Sequence, residues 1–110
     1  KNEGNKIIKY DPKREHGVGR PQIFCHNNVY YIFYTIRDIS MKYRIGYAIS
    51  DNLENWERKD DLDIKHSKSG WDSEMVYFPS VLKSNGKIFL FYCGNNFGQA
   101  GFGVAELINF

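Results

Sequence analysis

Residues 85–96 read NGKIFLFYCGNN, and residues 27–38 read NNVYYIFYTIRD. Each opens on an Asn-led turn and runs into a tight apolar and aromatic strand. With Pro21 set on Pro79, RPQIFCHNNVYYIFYTIRD falls on FPSVLKSNGKIFLFYCGNN without a gap. The Pro, the turn residue Asn27/Asn85 and the pair Phe33-Tyr34/Phe91-Tyr92 are identical. Apolar character matches at Ile23/Val81, Phe24/Leu82, Tyr30/Ile88, Tyr31/Phe89 and Ile32/Leu90. After a shift of one residue, RIGYAIS (44–50) falls on GFGVAEL (101–107), with Gly46/Gly103 and Ala48/Ala105 identical. Self-similarity at this spacing signals a repeat architecture.

Each unit reads as a meander of strands. In the first, strands are expected at about 20–26, 29–36, 43–50 and 56–60. In the second they are expected at about 75–84, 87–93 and 101–107. Asn-Asn and Asn-Gly mark tight hairpins, because both residues tolerate the positive φ such turns demand. β-branched and aromatic residues suit a pleated, half-buried surface. No segment shows a convincing helical period. A four-stranded antiparallel meander repeating every 40–60 residues or so is the signature of a β-propeller blade. The fold class expected is therefore all-β, with about two blades of a five-bladed propeller. Residues 1–15 are read as the tail of a preceding blade, with KIIKYDP (6–12) its outer strand. Residues 16–60 form one blade and 61–110 the next. A blade leaves an apolar face bare unless a neighbour stacks on it. The remaining blades of a parent chain, or other copies in a homo-oligomer, are expected to complete the core.

Composition narrows the function. The chain has 110 residues, 42% apolar and 16% aromatic, with eight Tyr and eight Phe. Fifteen basic residues against thirteen acidic ones give a net charge of +2, which points to neither nucleic acid nor an anionic membrane. No apolar run approaches the roughly 20 residues that span a bilayer. Cys25 and Cys93 match no metal-ligand spacing and are read as small buried residues; no metal or cofactor is expected. The chain opens on Lys1 without a signal-like segment, so it is read as a piece of a longer protein, cytoplasmic unless a leader precedes it.

Meander geometry sorts the loops. The turns at 26–28 and 84–86 and the SDNLENW corner fall at one end of the strands. At the other end lie the longer segments 13–20, 36–43, 61–78 and 94–100. These carry His16, Arg20, Arg37, Asp38, His66, Trp71, Asp72, Glu74, Asn95, Asn96 and Gln99. Polar loops on a rigid scaffold are where binding concentrates. In SGWDSEM (69–75), Asp72 and Glu74 are two residues apart; in an extended chain both point to one side, roughly 6–7 Å apart. Glycosidic hydrolysis uses two carboxyl groups at about 5–9.5 Å. Trp71 beside them offers a face for a sugar ring, and Arg20 and Arg37 offer charge-assisted hydrogen bonds. The plainer alternatives are a solvated acidic pair, a Trp wedged between blades, an Arg37 ion pair with Asp38 or Glu74, and ordinary surface histidines at 16, 26 and 66.

AISDNLENW (48–56) resembles the A-x-S-x-D/N-L-x-x-W signature that recurs in blades of five-bladed glycosidases, the glycoside hydrolase family 43 and 32 type. YRIGYAISDNLENWERKD, SGWDSEM, a Pro and NGKIFLFYCGNNFGQAGFGVA together are similar to a bacterial group of family-43-like glycosidases. The resemblance covers roughly residues 16–107. It implies a five-bladed propeller with a sugar site at its axis and hydrolysis by an Asp base, a second Asp that orients, and a Glu general acid. On that pattern Glu74 is the acid, in a partly apolar pocket of Trp71 and Tyr77, and Asp72 orients it. Arg20, Arg37, Asp38, Asn95 and Asn96 bind the carbohydrate. The pattern departs in three places. Tyr77-Phe78 precede Pro79 where the family carries a carboxylate, Arg20 precedes Pro21, and the first-blade Asp has no counterpart. The missing base and the displaced Glu favour the alternative of a non-catalytic carbohydrate-binding or assembly module; a further alternative is a protein-interaction propeller module, which predicts no convergence of carboxylates and arginines at the axis.

Overall fold

The computed structural model describes residues 4–40, 42–59 and 66–108. The order is β1 (Glu15–His26), β2 (Val29–Asp38), β3 (Tyr43–Ser50), β4 (Glu57–Arg58), β5 (Tyr77–Ser84), β6 (Lys87–Cys93) and β7 (Phe102–Leu107). These make two antiparallel meanders, β1-β2-β3-β4 and β5-β6-β7, with no crossover. Both are blade-like, as the repeat predicts. The expected boundary between units, at 60/61, lies outside the described residues, as do Met41 in the β2–β3 loop and the last two residues of the second unit.

The hairpin turns follow from their sequences. Asn27 and Asn28 take φ of 50° and 64°; Asn85 and Gly86 take 50° and 75°. Positive φ at both central positions is the turn whose twist matches the strands it joins. The strand starts differ from expectation. β1 begins at Glu15 rather than near 20, because Val18 and Gly19 already pair with Ile36 and Thr35 of β2. The ladder then slips at Arg20-Pro21 and resumes at Gln22↔Phe33. The same slip recurs between Tyr77 and Ser80, around Phe78-Pro79. Arg20 and Phe78 both adopt positive φ, 54° and 55°. A non-glycine residue held there costs about 1–3 kcal/mol, and such strain clusters at functional sites. The leader is not a strand: Ile8 packs instead on the face of the first sheet, beside Val18 and Trp56.

β2 is the spine. Residues 31–36 are all buried, which a one-sided sheet would not require. The period of two sends alternate side chains to opposite faces. Tyr31 and Phe33, with Phe24 and Ile45, meet Ile88 and Leu90 of the second sheet. Ile32, Tyr34 and Ile36, with Ala48, form a second cluster on the reverse face. Phe24 stacks on Tyr31 and Phe33 at 5.1 and 5.8 Å, and Phe33 stacks on Tyr47 at 5.4 Å. Cys25, expected inside, is exposed, because the neighbouring Phe24 takes the core-facing side of β1. Cys93 is half-buried and free.

The repeat also explains what is left bare. Moved by 58, Phe24, Tyr31 and Phe33 become Leu82, Phe89 and Phe91; moved by 57, Ile45 and Tyr47 become Phe102 and Val104. The ladder puts Leu82 opposite Phe89 and Phe91 opposite Val104, on one face. Phe102, Val104 and Leu82 are 76%, 52% and 52% exposed. So the face that the first sheet buries against the second has its counterpart on the second sheet, open. A contiguous apolar patch of this kind marks an interaction surface.

One buried charge ties the first unit together. The Glu15 side chain is fully buried and takes two hydrogen bonds from Arg58, at 2.9 and 2.7 Å. Arg44 reaches it at 3.5 Å, and the Asp11 N–H donates to it at 2.7 Å. Arg58 also donates to the Lys9 carbonyl. One carboxylate thereby fastens the leader, β1, β3 and β4. Burial opposes its ionisation, but the Arg58 hydrogen bonds, the Asp11 N–H and the charges of Arg58 and Arg44 outweigh it. Its pKa is therefore lowered below the ordinary carboxylate value.

Candidate functional site

The described parts of the longer segments gather at one end of the two sheets, as meander geometry requires. Their junction is tight. The Val76 N–H donates to the Tyr43 carbonyl at 2.9 Å, and the Phe78 N–H donates to Thr35 Oγ1 at 2.8 Å. These bonds seat the start of β5 across β2 and β3. The segment before it, 69–75, is not extended. It turns at Gly70, where the Ser73 N–H meets the Gly70 carbonyl at 3.3 Å. Asp72 is therefore buried while Glu74 is exposed, and the expected same-side carboxylate pair does not form.

Each member of that loop has a specific anchor. Asp72 accepts a hydrogen bond from the Tyr92 hydroxyl at 3.1 Å. Burial, then this bond and the carboxylate charge, push the Tyr92 hydroxyl pKa up. Trp71 stacks on Tyr92, with centroids 5.4 Å apart and planes 18° apart. Its ring also lies over Gly103, where an added Cβ would come within 2.6 Å of the indole. Trp71 is thus seated against the second sheet and remains 38% exposed. Asn95 is the clamp. Its carbonyl oxygen accepts from the N–H groups of Glu74 and Met75 at 2.8 and 3.0 Å. Its amide nitrogen donates to the Gly70 carbonyl and to Ser73 Oγ at 3.0 and 3.1 Å. The amide expected to bind sugar hydroxyls is therefore occupied by the loop itself. Asn95→Ala removes the side-chain acceptor of two backbone N–H groups in a partly exposed loop, where water can replace it, and is expected to cost about 0.5–1.5 kcal/mol. Hydrogen exchange should show faster exchange at Glu74 and Met75, with β1–β3 unchanged.

Asp38 is likewise committed locally: its Oδ1 accepts from the Ser40 N–H, the Ser40 hydroxyl and the Lys42 N–H. It shapes the β2–β3 loop and is not the ion partner of Arg37. Asn96 lies exposed in a turn at φ 55°. Trp71 and Tyr77, expected to wall one pocket around Glu74, belong to different groups: Trp71 stacks on Tyr92, whereas Tyr77 is buried beside Tyr43 and Phe78.

That group is the part the residue types alone did not single out. Tyr43 meets Tyr77 and Phe97 edge-on at 5.2 and 5.5 Å, and Tyr77 meets Phe78 at 4.4 Å. Phe97 is 69% exposed, held at φ 55° on the 94–101 loop. Burial, then the nearby Cys93 and Tyr43, raise the Tyr77 hydroxyl pKa. The Arg20 guanidinium sits over the Phe78 ring at 4.5 Å. Beside this cluster is a cavity of about 210 Å³ lined by Arg20, Thr35, Arg37, Tyr43 and Phe78, with Gly17 and Gly19 among its walls. Exposed aromatic faces beside charged donors can bind a sugar ring by stacking and hydrogen bonding. A larger concavity, about 650 Å³, lies at the opposite end among His26, Lys87, Glu106 and Leu107. Among the described residues, no group of three or more His, Cys, Asp or Glu side chains could hold a metal ion.

No protein-family model matches the chain. It is 36% identical over 91 residues to Uncharacterized protein Rv1502 of Mycobacterium tuberculosis (strain ATCC 25618 / H37Rv). It is equally similar to Uncharacterized protein MT1551 of Mycobacterium tuberculosis (strain CDC 1551 / Oshkosh). Each match takes in 82% of this chain and 30% of the relative, so the chain spans under a third of the length of the curated relatives it matches. Two solved structures share its fold, each with a TM-score of 0.74 and 24% identity. One, a BT0996 RGII complex, matches 96% of this chain over 31% of its own. The other, a glycoside hydrolase, matches 97% of this chain over 31% of its own. The two meanders thus have the fold of about a third of a solved glycoside hydrolase chain.

Proposed function

We propose that these two sheets are consecutive blades of a five-bladed propeller of the glycoside hydrolase family 43 type, and that their loop-bearing end is part of its carbohydrate site. The observation that carries the reading is the cavity at that end, where two arginines and aromatic rings meet, on a fold shared with a solved glycoside hydrolase; Glu74 is exposed on a loop of the same end. The open face around Leu82 and Phe102 is where a further sheet of the same kind stacks, supplied by a longer parent chain or a second copy.

Hydrolysis is the activity proposed for the complete propeller. Glu74 is its candidate general acid, because the backbone that carries it is pinned by Asn95 while its carboxyl group faces solvent. Asp72, held by Tyr92, is its candidate orienting neighbour. Trp71 lies on the loop that carries Glu74, Tyr77 backs the aromatic group beside the arginine cavity, and Arg20, Arg37 and Asn96 are the candidate ligand contacts. A non-catalytic carbohydrate-binding module is the second reading; the burial of Asp72 away from Glu74 favours it.

The protein screened against aryl glycosides and a glycan panel separates these. Release of the aryl group that falls about a hundredfold or more in Glu74→Gln supports the enzyme, since a general acid contributes 10²–10⁴-fold or so. Binding without release supports the module. Neither release nor binding overturns the carbohydrate reading.

A further inference from the structure

Several acids among the described residues are already engaged, and Glu74 is not one of them. Glu15 is held by Arg58 and Arg44, Asp11 by Arg14, and Glu57 by Lys59. Asp38 accepts from its own loop and Asp72 from Tyr92. Arg20 and Arg37, which both line the 210 Å³ cavity, form no ion pair among the described residues. Two arginines lining one small opening, neither ion-paired among the described residues, favour a negative charge there on a chain that is otherwise nearly balanced.

Arg20 is also held in place at a conformational cost. It occupies the left-handed region at the β1 slip, and its guanidinium rests over the Phe78 ring, itself at the equivalent slip of β5. That arrangement fixes the guanidinium beside the cavity and needs no protein carboxylate. A guanidinium presents paired N–H donors that match the two oxygens of a carboxylate better than they match a lone hydroxyl. The cavity is smaller than the roughly 300–1,000 Å³ of drug-sized pockets, which suits one ring rather than a long oligosaccharide.

We propose that this cavity selects a sugar residue bearing an anionic group, a ring carboxylate, with Arg20 and Arg37 as the residues that read its charge. The inference rests on the carbohydrate reading above and adds the ligand class. Arg37 contacts the carboxylate, and Arg20, braced by Phe78, contacts it from the β1 side. Thr35 and Tyr43 complete the wall.

The test titrates the protein with three probes: a methyl uronoside, the neutral methyl glycoside of the same configuration, and the corresponding sugar phosphate. The uronoside is expected to bind roughly tenfold more tightly than the neutral glycoside, the size of one charge-assisted bond. Raising the salt should shrink that ratio. In Arg37→Gln the ratio should fall toward one, and Arg20→Gln, measured separately, should lower it too. Thermal unfolding of both variants within a few degrees of the parent shows that the fold persists. Equal binding of the uronoside and neutral glycoside overturns the inference and leaves the carbohydrate reading standing. Tighter binding of the phosphate overturns the choice of carboxylate. Binding of none of the three overturns the inference together with the reading beneath it.

Discussion

Glu15→Ala is expected to destabilise the protein by about 3 kcal/mol, the lower end of what removing one partner of a buried ion pair costs. The lower end applies because the arginines it leaves behind keep access to water: the Arg58 and Arg44 side chains are 24% and 30% exposed. Arg58 also retains its bond to the Lys9 carbonyl. Even so, about 3 kcal/mol is a large share of the roughly 5–15 kcal/mol that holds an ordinary domain folded. Urea denaturation followed by tryptophan fluorescence measures it.

The same carboxylate sets a pH dependence with a definite sign. Its folded pKa is lowered, so its contribution is complete above the unfolded value of about 4.3. The contribution is lost as pH falls from there through the folded value. The parent should therefore lose stability on acidification below about pH 4.3, and Glu15→Gln should flatten that part of the curve. A variant as stable as the parent, with an unchanged acid limb, would show that the Glu15–Arg58 pair contributes nothing net.

The second large effect separates the buried sheet face from its open counterpart. Phe33 is 1% exposed and stacks between Phe24 and Tyr47 against the second sheet. Phe33→Ala should cost about 3–5 kcal/mol, transfer and cavity together. Phe91 occupies the matching place on the second sheet but is only half-buried, with Val104 opposite it largely open. Phe91→Ala in this chain should cost no more than about half as much, since little neighbouring structure packs on that face. In a longer form that places another sheet there, the two costs should converge. Equal costs in this chain would mean that the open face is already covered, contrary to the stacking order inferred from the repeat.

How much of this is legible in the residues depends on the range of the interaction. The course of the strands, though not all their starts, the two hairpin turns and the division of loops between two ends follow from local chemistry: Asn and Gly at positive φ, and the aromatic and β-branched runs of β2 and β6. The duplication then carries the fold, because Phe33 and Phe91 mark the same place in two units. What is not legible depends on contacts between distant residues. Glu15 stands in the charged run KREHG, and nothing nearby shows that Arg58, 43 residues on, will close over it. The Asp72/Glu74 expectation assumes an extended segment; Asn95, about 20 residues away, holds that segment in turns instead. Tyr43 and Phe97 join the site only because the β2–β3 loop and the 94–101 loop lie side by side. The one local hint is the aromatic and arginine residues placed before the matched prolines, Arg20-Pro21 and Phe78-Pro79, where backbone strain meets the cavity wall.

The most direct test of the central claim maps where a sugar touches the fold. Backbone amide chemical shifts are followed while neutral and acidic monosaccharide glycosides are titrated into the protein. The largest changes are expected at Arg20, Arg37, Tyr43 and Phe78, with the 26–28 and 84–86 turns unmoved. Changes confined to those turns, or to the concavity beside His26 and Leu107, with the arginine cavity silent, would contradict it.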